Sequence, residues 1–180
     1  MDRLEFLQQL VLEFSKESSD DTKEQVLANL ANFAYDPANM EYLRQLNAVD
    51  LFLDMLDEQS EKLVEFGLGG LCNLAQYDKC KEQIISSDGI QLILSTLCSS
   101  NEEIVVAAIT CLLYLISPNT KKDITTIPVI QSMQQFQLSS NSRISNLATI
   151  FLEDFCTSQE KQAASSTQQH AIGIPLPPSE

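Results

Sequence analysis

The stretch LVEFGLGGLCNLA, residues 63–75, decides the fold of this chain because its pattern of apolar and small residues recurs. The pattern starts again 41 positions later as IVVAAITCLLYLI, residues 104–116, and 41 positions earlier as TKEQVLANLANFA, residues 22–34. A fourth copy, shifted by 40, lies in RISNLATIFLEDF, residues 143–155. Repetition at a fixed period indicates a stack of similar structural units, so it is the first constraint on the fold.

The copies align at both large and small residues. A leucine recurs at one position of the register, and a slim residue recurs four positions before it. These are Leu30, Leu71, Leu112 and Leu152, and Val26, Gly67, Ala108 and Ala148. Apolar residues at helical spacing predict one long helix in each copy. The segments 47–53 and 88–94 match each other at the same offset and predict a second helix, and the segments 39–46 and 79–85 predict a shorter first one.

A period of about 41 residues with two or three helices per unit is typical of HEAT and armadillo solenoids. Ankyrin and TPR repeats have periods of about 33 and 34 residues, so both fit poorly. A short first helix, a second helix and a long third helix favour the armadillo pattern over the two-helix HEAT pattern. We therefore predict an all-α, armadillo-type α-solenoid of about four repeats; the alternative is an irregular helical bundle.

The predicted armadillo-repeat domain covers residues 1–156, and a flexible tail with a Pro-rich end follows at residues 157–180. The units of the domain span about residues 1–36, 37–78, 79–118 and 119–156. Asp36 followed by Pro37 predicts a helix start. Pro118 predicts the end of the third long helix, because proline cannot continue a helix.

Three glycines lie inside the predicted long helix of the second unit, at Gly67, Gly69 and Gly70. A glycine within a helix costs about 1 kcal/mol relative to alanine. We expect these positions to let the helix approach its neighbour closely.

Charge and composition limit the classes of partner. The 180 residues are 44% hydrophobic, enough for a core without metals or disulfides. Lys and Arg total 11 against 25 Asp and Glu, a net charge of −14. Such a surface repels phosphate backbones, so we expect no tight non-specific binding of DNA or RNA by this chain alone. It suits basic protein segments, although high net charge also serves solubility alone.

The five cysteines form no C-x-x-C pair, and most of them lie in apolar helical stretches. We interpret them as small core residues of a protein in a reducing compartment, the nucleus or the cytosol. The first residues carry acid where a secretory signal needs basic and then apolar residues. The apolar run at residues 104–116 is shorter than the roughly 20 residues that a membrane span needs, so we expect no membrane association.

Several strings carry a more specific resemblance. They are KEQVLANLANFAYDP at residues 23–37, EYLRQL at 41–46, GGLCNL at 69–74, FLEDFC at 151–156 and GIPLP at 173–177. Over nearly the whole chain they resemble the armadillo-repeat family, and in particular a small member of it. The resemblance implies a non-enzymatic nuclear scaffold that pairs with an RRM-type RNA-binding protein in the minor spliceosome, which removes U12-type introns.

The resemblance also implies a groove lined by the third helices, where asparagines hydrogen-bond an extended peptide. An amide suits this task because it offers both donors and an acceptor. Asn32 and Asn73 hold matching positions, whereas Tyr114 and Asp154 replace them in the later copies. The alternative is that both asparagines tie down loops or helix ends. Phe66, two turns before Asn73, is a further groove candidate or a core residue.

Nuclear-import receptors of this family place tryptophan four residues before each groove asparagine. The corresponding residues here are Ala28, Gly69, Thr110 and Ile150, and the chain has no tryptophan. Recognition of a nuclear localisation signal is therefore not expected. Ala28 and Gly69 would instead leave a shallow groove for a helix or a bulky side chain of a partner.

The predicted tail combines a polar linker with an apolar end. Residues 157–169 are rich in Ser, Gln and Ala and lack apolar periodicity, which predicts a frayed helix or linker. Ile172, Ile174 and Leu176 then form a Pro-rich apolar segment and are candidates for docking to a partner. The alternative is a loose tail or one folded back on the last repeat.

The sequence offers no catalytic, metal-binding or cofactor-binding constellation. The only histidine, His170, lies in the predicted tail, away from a scaffold that could hold it against an acid or a nucleophile. No phosphate-loop, nucleophile-elbow or zinc-protease motif is present, and no Cys or His cluster has metal-ligand spacing.

We therefore predict a protein that is not an enzyme and has no cofactor, metal or small-molecule substrate. The function predicted from the resemblance is that of a nuclear spliceosomal scaffold, with a cytoplasmic pool as an option, which contacts RNA only through its partner. The alternative is an adaptor for transport or signalling that binds a basic extended peptide in the concave groove. A catalytic cysteine is a third hypothesis, which requires rapid site-selective alkylation in the folded state.

Overall fold

The computed structural model describes the backbone of residues 2–172 and the side chains of residues 2–166, and this part of the chain is helical without β-strands. Its α-helices are α1 (Arg3–Lys16), α2 (Asp20–Phe33), α3 (Met40–Gln45), α4 (Ala48–Asp54), α5 (Glu61–Leu74), α6 (Asp78–Ser86), α7 (Gly89–Ser95), α8 (Glu102–Leu115), α9 (Lys121–Ile124), α10 (Ile127–Phe136), α11 (Ser142–Phe155) and α12 (Ser158–Ile172). The all-α prediction is confirmed. The chain consists of two compact units, residues 1–116 and residues 117–180.

Three of the four 14-residue helices of the first unit, α2, α5 and α8, pack side by side. Helix α2 packs against α5, and α5 packs against α8. These helices contain the first three copies of the repeated pattern. At the repeated leucine position, Leu30, Leu71 and Leu112 are completely buried, as expected where neighbouring units cover each other's apolar faces. The shorter helices α4 and α7 pack against α5 and α8 of their own repeats.

The turn before each second helix has the same conformation in both repeats. Asn47 and Asp88, which are 41 residues apart, each precede a helix with φ of 56°, in the left-handed region. Asn and Asp enter this region more readily than other residues with a side chain. The sequence match between residues 47–53 and 88–94 therefore extends to the backbone of the turn.

The expected close approach at three glycines is confirmed at two of them and wrong at the third. A Cβ atom at Gly70 would lie 2.5 Å from the ring of Phe52, and one at Gly67 would lie 3.0 Å from the Cβ atom of Met55. A Cβ atom at Gly69 would meet no atom within 4 Å. Successive helix residues point in directions about 100° apart, so Gly69 faces away from the α4 interface that its neighbour Gly70 joins.

Helix boundaries follow the predicted punctuation. The carboxylate of Asp36 accepts a hydrogen bond from the Ala38 amide at 2.9 Å, directly before the 3₁₀ turn that begins with Pro37. Helix α8 ends at Leu115, three residues before Pro118. The side chain of Asn101 caps the start of α8 by accepting from the Glu103 amide at 3.0 Å.

The second unit contains α9 to α12, and the first part of the predicted tail is folded back on the last repeat, which was the alternative to a flexible tail. Residues 158–172 form α12, which packs against α10. The side-chain amide of Gln131 donates to the Ala164 carbonyl at 2.9 Å, that of Gln134 donates to the Lys161 carbonyl at 3.0 Å, and Ala164 is fully buried. Glutamine amides and one alanine thus hold a helix that lacks a strong apolar stripe.

Candidate protein-interaction surface

One face of α5 is open at three positions that sequence analysis singled out. Phe66, Gly69 and Asn73 are spaced three and four residues apart, so they share a face of the helix. The space beyond Gly69 is open, and Phe66 and Asn73 are each partly exposed. This row forms the α5 part of what we call the third-helix strip: Phe66, Gly69 and Asn73 on α5, with Thr110 and Tyr114 on α8.

The α8 part of the strip follows by register. Tyr114 occupies the position of Asn73 one repeat later, and its side chain is 42% exposed. The hydroxyl of Thr110, one turn before Tyr114, donates to the Val106 carbonyl at 2.8 Å, and the residue is partly exposed. Helices α5 and α8 pack directly, and the Cys72 thiol joins them by donating to the Ala107 carbonyl at 3.2 Å.

The side-chain amide of Asn73 is already hydrogen-bonded within the protein. Its amide Nδ2 donates to the carbonyl of Ala31, near the end of α2, at 3.0 Å. This bond ties α5 to the preceding long helix. One of the two N–H donors that a bound peptide would use is therefore already engaged.

Asn32 has a different environment from Asn73 despite its matching position. It is exposed, and it lines a cavity of about 530 Å³ between the start of α1 and the end of α2. We call this the α1–α2 cavity; its walls include Arg3, Phe6, Asn32, Phe33, Asp36 and Asn39. The neighbour that precedes α2 is α1 and not another long third helix, so the two asparagines do not form equivalent sites.

The α1–α2 cavity was missed by sequence reasoning. The repeat alignment assigns no partner to α1, and nothing in the sequence brings Phe6 to Phe33. In the structure their rings meet edge to face, with centroids 5.3 Å apart. The sequence singled out two of its wall residues, Asn32 as a groove candidate and Asp36 at a helix start, but did not place them together.

A polar cluster joins two short first helices of successive repeats. The Glu41 carboxylate of α3 accepts a hydrogen bond from Arg44 at 2.7 Å. It also accepts one from the hydroxyl of Tyr77, the residue directly before α6, at 3.1 Å. Lys79 lies 3.8 Å from the same carboxylate. Hydrogen bonds from Arg44 and Gln45 lower the pKa of Glu41 to about 2, and the hydrogen bond from Tyr77 makes a smaller contribution. The carboxylate is therefore held ionised between two repeats, as a structural link.

Three of the five thiols have raised pKa values, which makes them poor nucleophiles. Burial raises the pKa of Cys80 to about 11. A hydrogen bond with Cys72, together with burial, raises the pKa of Cys111, and burial raises that of Cys156. Cys80, Cys111 and Cys156 are buried, as expected for core residues, but Cys98 is exposed and departs from that expectation.

Within residues 2–166, no three His, Cys, Asp or Glu side chains come together as metal ligands would. In the described part of the chain, no helix has the length and apolar character needed to cross a membrane. Of the predicted docking residues, Ile172 is the last residue of α12, and its side chain is not among those described. Ile174 and Leu176 lie outside the described residues.

Comparison with known proteins supports the repeat assignment. No family model matches the chain. Mouse Armadillo repeat-containing protein 7 is 51% identical over 181 residues, which cover 99% of this chain and 91% of the mouse protein.

Two kinds of designed protein share the fold. One chain from the crystal structure of computationally designed armadillo repeat proteins for modular peptide recognition superposes with a TM-score of 0.74 at 18% identity. The match covers 83% of this chain and 64% of the designed chain. A designed armadillo repeat protein in complex with the peptide (KR)4 superposes with a TM-score of 0.76 at 13% identity, covering 92% of this chain and 73% of that one. The designed proteins share the fold, and the similarity to the mouse protein shows that the chain belongs to the armadillo-repeat family.

Proposed function

We propose that this protein is a non-enzymatic scaffold of the minor spliceosome that binds an RRM-type RNA-binding protein and acts with it in the splicing of U12-type introns. The observation that carries the proposal is the third-helix strip. An armadillo fold offers an interaction surface along its long helices, and here that surface is partly apolar and open. The resemblance of the chain to its family supplies the spliceosomal context.

The strip suits a protein segment with bulky apolar side chains. Phe66 and Tyr114 offer aromatic surface, and Gly69 leaves a depression between turns of α5. An amphipathic helix or an aromatic side chain from a partner would fill such a depression and remove apolar surface from water. A narrow row of asparagine amides would favour an extended peptide instead, but Asn73 is partly engaged with Ala31.

The charge of the chain favours indirect contact with RNA. Direct binding would bring phosphates close to a protein with a net charge of −14, at a cost in electrostatic free energy. In the proposed complex the RRM-type partner contacts RNA, and this chain contacts the partner. We place the complex in the nucleus, where splicing occurs.

A catalytic role is not part of the proposal. The raised pKa values of Cys80, Cys111 and Cys156 keep these thiols protonated near neutral pH, which disfavours a cysteine nucleophile. The scaffold role needs only a stable surface. We propose no cofactor and no small-molecule substrate.

The test uses affinity purification of tagged protein from nuclear extract, with and without RNase. Gly69→Arg adds bulk and charge to the strip where there is open space, so it should fold and yet lose the RRM-type protein and minor-spliceosome RNA. Gly69→Ala, which adds one methyl group at the same position, is the matched control. Recovery of the RRM-type protein from RNase-treated extract supports direct pairing. Equal recovery by Gly69→Arg and Gly69→Ala would exclude the strip, and absence of minor-spliceosome RNA without RNase would exclude the spliceosomal role.

A second candidate is an adaptor that binds a basic extended peptide in the concave groove. The observation in its favour is that the similar designed protein was solved with the peptide (KR)4, and the acidity of this chain complements such a ligand. The two functions differ in salt dependence. Binding of a basic peptide should weaken steeply between low and high ionic strength, whereas an apolar contact at the strip should change little.

A further inference from the structure

The α1–α2 cavity has chemistry that the third-helix strip lacks. Its apolar part is the edge-to-face pair of Phe6 and Phe33, and Phe6 as a residue is 39% exposed. Its polar part includes the carboxylate of Asp36 and the amide of Asn39. A volume of about 530 Å³ is ample for one large side chain.

The cavity already holds one guanidinium group, from the chain itself. Nη1 of Arg3 donates to Oδ2 of Asp36 at 3.4 Å, and both side chains are about half exposed. A single long ion pair between half-exposed groups is weak. A second arginine could therefore compete with Arg3 for the same carboxylate.

Asn39 belongs to the wall of the cavity, but its side-chain acceptor is closed off from it. Its amide Nδ2 donates to the Phe33 carbonyl at 2.8 Å, and because a carbonyl only accepts, the amide oxygen must point the other way. That oxygen is buried and has no hydrogen-bond partner, while the residue as a whole is 3% exposed. The acceptor that a ligand in the cavity meets is therefore the half-exposed carboxylate of Asp36.

We propose that the α1–α2 cavity binds an arginine side chain from a basic segment of a protein partner. The guanidinium displaces Arg3 from the carboxylate of Asp36, while the stem of the arginine and the flat face of its guanidinium lie along Phe6 and Phe33. Arginine fits better than lysine because its planar fork can donate to both oxygens of a carboxylate at once and stack on aromatic rings. The net charge of −14 draws basic segments toward the surface.

The inference rests on the proposed interaction role only in that the occupant belongs to a protein. It concerns a surface separate from the third-helix strip, and its test needs no splicing component. Failure of the arginine site would leave the pairing with an RRM-type protein untouched, and loss of that pairing would not remove the arginine site.

The test is an NMR titration of the ¹⁵N-labelled protein with the peptide acetyl-Ala-Ala-Arg-Ala-Ala-amide. The same peptide with lysine or with citrulline, the uncharged analogue of arginine, is titrated in parallel. We expect amide shifts at Phe6, Phe33 and Asn39, with affinity in the order arginine, lysine, citrulline. Asp36→Asn should weaken binding of the arginine peptide about two- to fivefold, the range of a half-exposed ion pair. Asparagine is also a good N-cap, so this variant should stay folded.

A gain of binding gives the most specific result. Arg3→Gln removes the internal competitor, so it should strengthen binding of the arginine peptide, which a folding defect cannot do. Asp21→Asn is the control for Asp36→Asn: it removes one negative charge as well, but in the first turn of α2 away from the cavity, so it should leave the affinity unchanged. Equal affinities for arginine and citrulline, weaker binding by Arg3→Gln, or shifts confined to the third-helix strip would each overturn the proposal.

Discussion

At the residue scale, the adjacent glycines of α5 have opposite surroundings and therefore predict opposite effects of the same substitution. Gly70→Ala would drive a methyl group into the ring of Phe52, so we expect it to lower the free energy of unfolding by about 1–3 kcal/mol. Gly69→Ala enters open space and improves helix propensity, so we expect a gain of up to about 1 kcal/mol. Urea denaturation of the two variants and the unmodified protein measures both. Equal effects would contradict the packing described for α5.

The cysteines also differ residue by residue. Cys98 is exposed, whereas Cys80, Cys111 and Cys156 are buried and have raised pKa values. We expect iodoacetamide at pH 7.5 to modify Cys98 first and the three buried thiols only on the timescale of unfolding. Peptide mass spectrometry over time gives the order.

Denatured protein, in which all five thiols should react, is the control for that experiment. Rapid modification of Cys80 or Cys111 in the folded protein would show that burial does not protect these thiols. It would also revive the hypothesis of a reactive cysteine.

At the scale of elements, the Glu41 cluster makes the junction of α3 and α6 sensitive to acid. The pKa of Glu41 is about 2 in the folded protein against an ordinary value of 4.5. A carboxyl whose pKa is lowered by folding stabilises the fold above pH 4.5, and this contribution is lost as the pH falls from 4.5 toward 2. We expect Glu41→Gln to lower the melting temperature at pH 7 and to have a smaller effect near pH 2.

The control for Glu41 is Glu58→Gln, at an exposed position at the end of the 3₁₀ turn after α4. Thermal melts of both variants at several pH values separate the loss of one negative charge from the loss of the cluster. A pH-independent effect of Glu41→Gln would contradict the assignment of the cluster as an ionic link.

Helix α12 stabilises the second unit by covering α10. Deletion of residues 158–180 removes the bonds from Gln131 and Gln134 to the α12 backbone and exposes the surface that Ala164 covers. We expect a lower melting temperature than for deletion of residues 173–180, which leaves α12 in place. Differential scanning calorimetry compares the two. Identical melting temperatures would show that α12 contributes nothing to stability.

At the scale of the whole molecule, the repeat was predictable because each unit obeys the same packing rule. Leu30, Leu71 and Leu112 lie at one register position and are fully buried, so the period alone identified three of the long helices. The turn residues Asn47 and Asp88 matched for the same reason. A sequence period indicates that each helix packs against helices like itself. At the leucines and turns named above the structure has such neighbours, and there the predicted helices are found.

The rest could not be predicted because it depends on neighbours that break the period. Asn32 faces a cavity formed with α1, which has no copy elsewhere in the alignment. Helix α12 is held by glutamine amides and a buried alanine, which leave little apolar periodicity to detect. The difference between Gly69 and Gly70 depends on the rotation of α5 against α4, which composition does not reveal.

The contact between Phe52 and Gly70 has a consequence for exchanging parts between repeats. At the equivalent positions one repeat later stand Ile93 and Cys111, both fully buried. The pair of a large phenylalanine and a glycine in one repeat therefore corresponds to two residues of intermediate size in the next. A chimera that exchanged only α5 and α8 would overfill one interior by setting Phe52 against Cys111 and hollow out the other by setting Ile93 against Gly70. The smallest transplantable part of this protein is therefore a second helix together with its third helix.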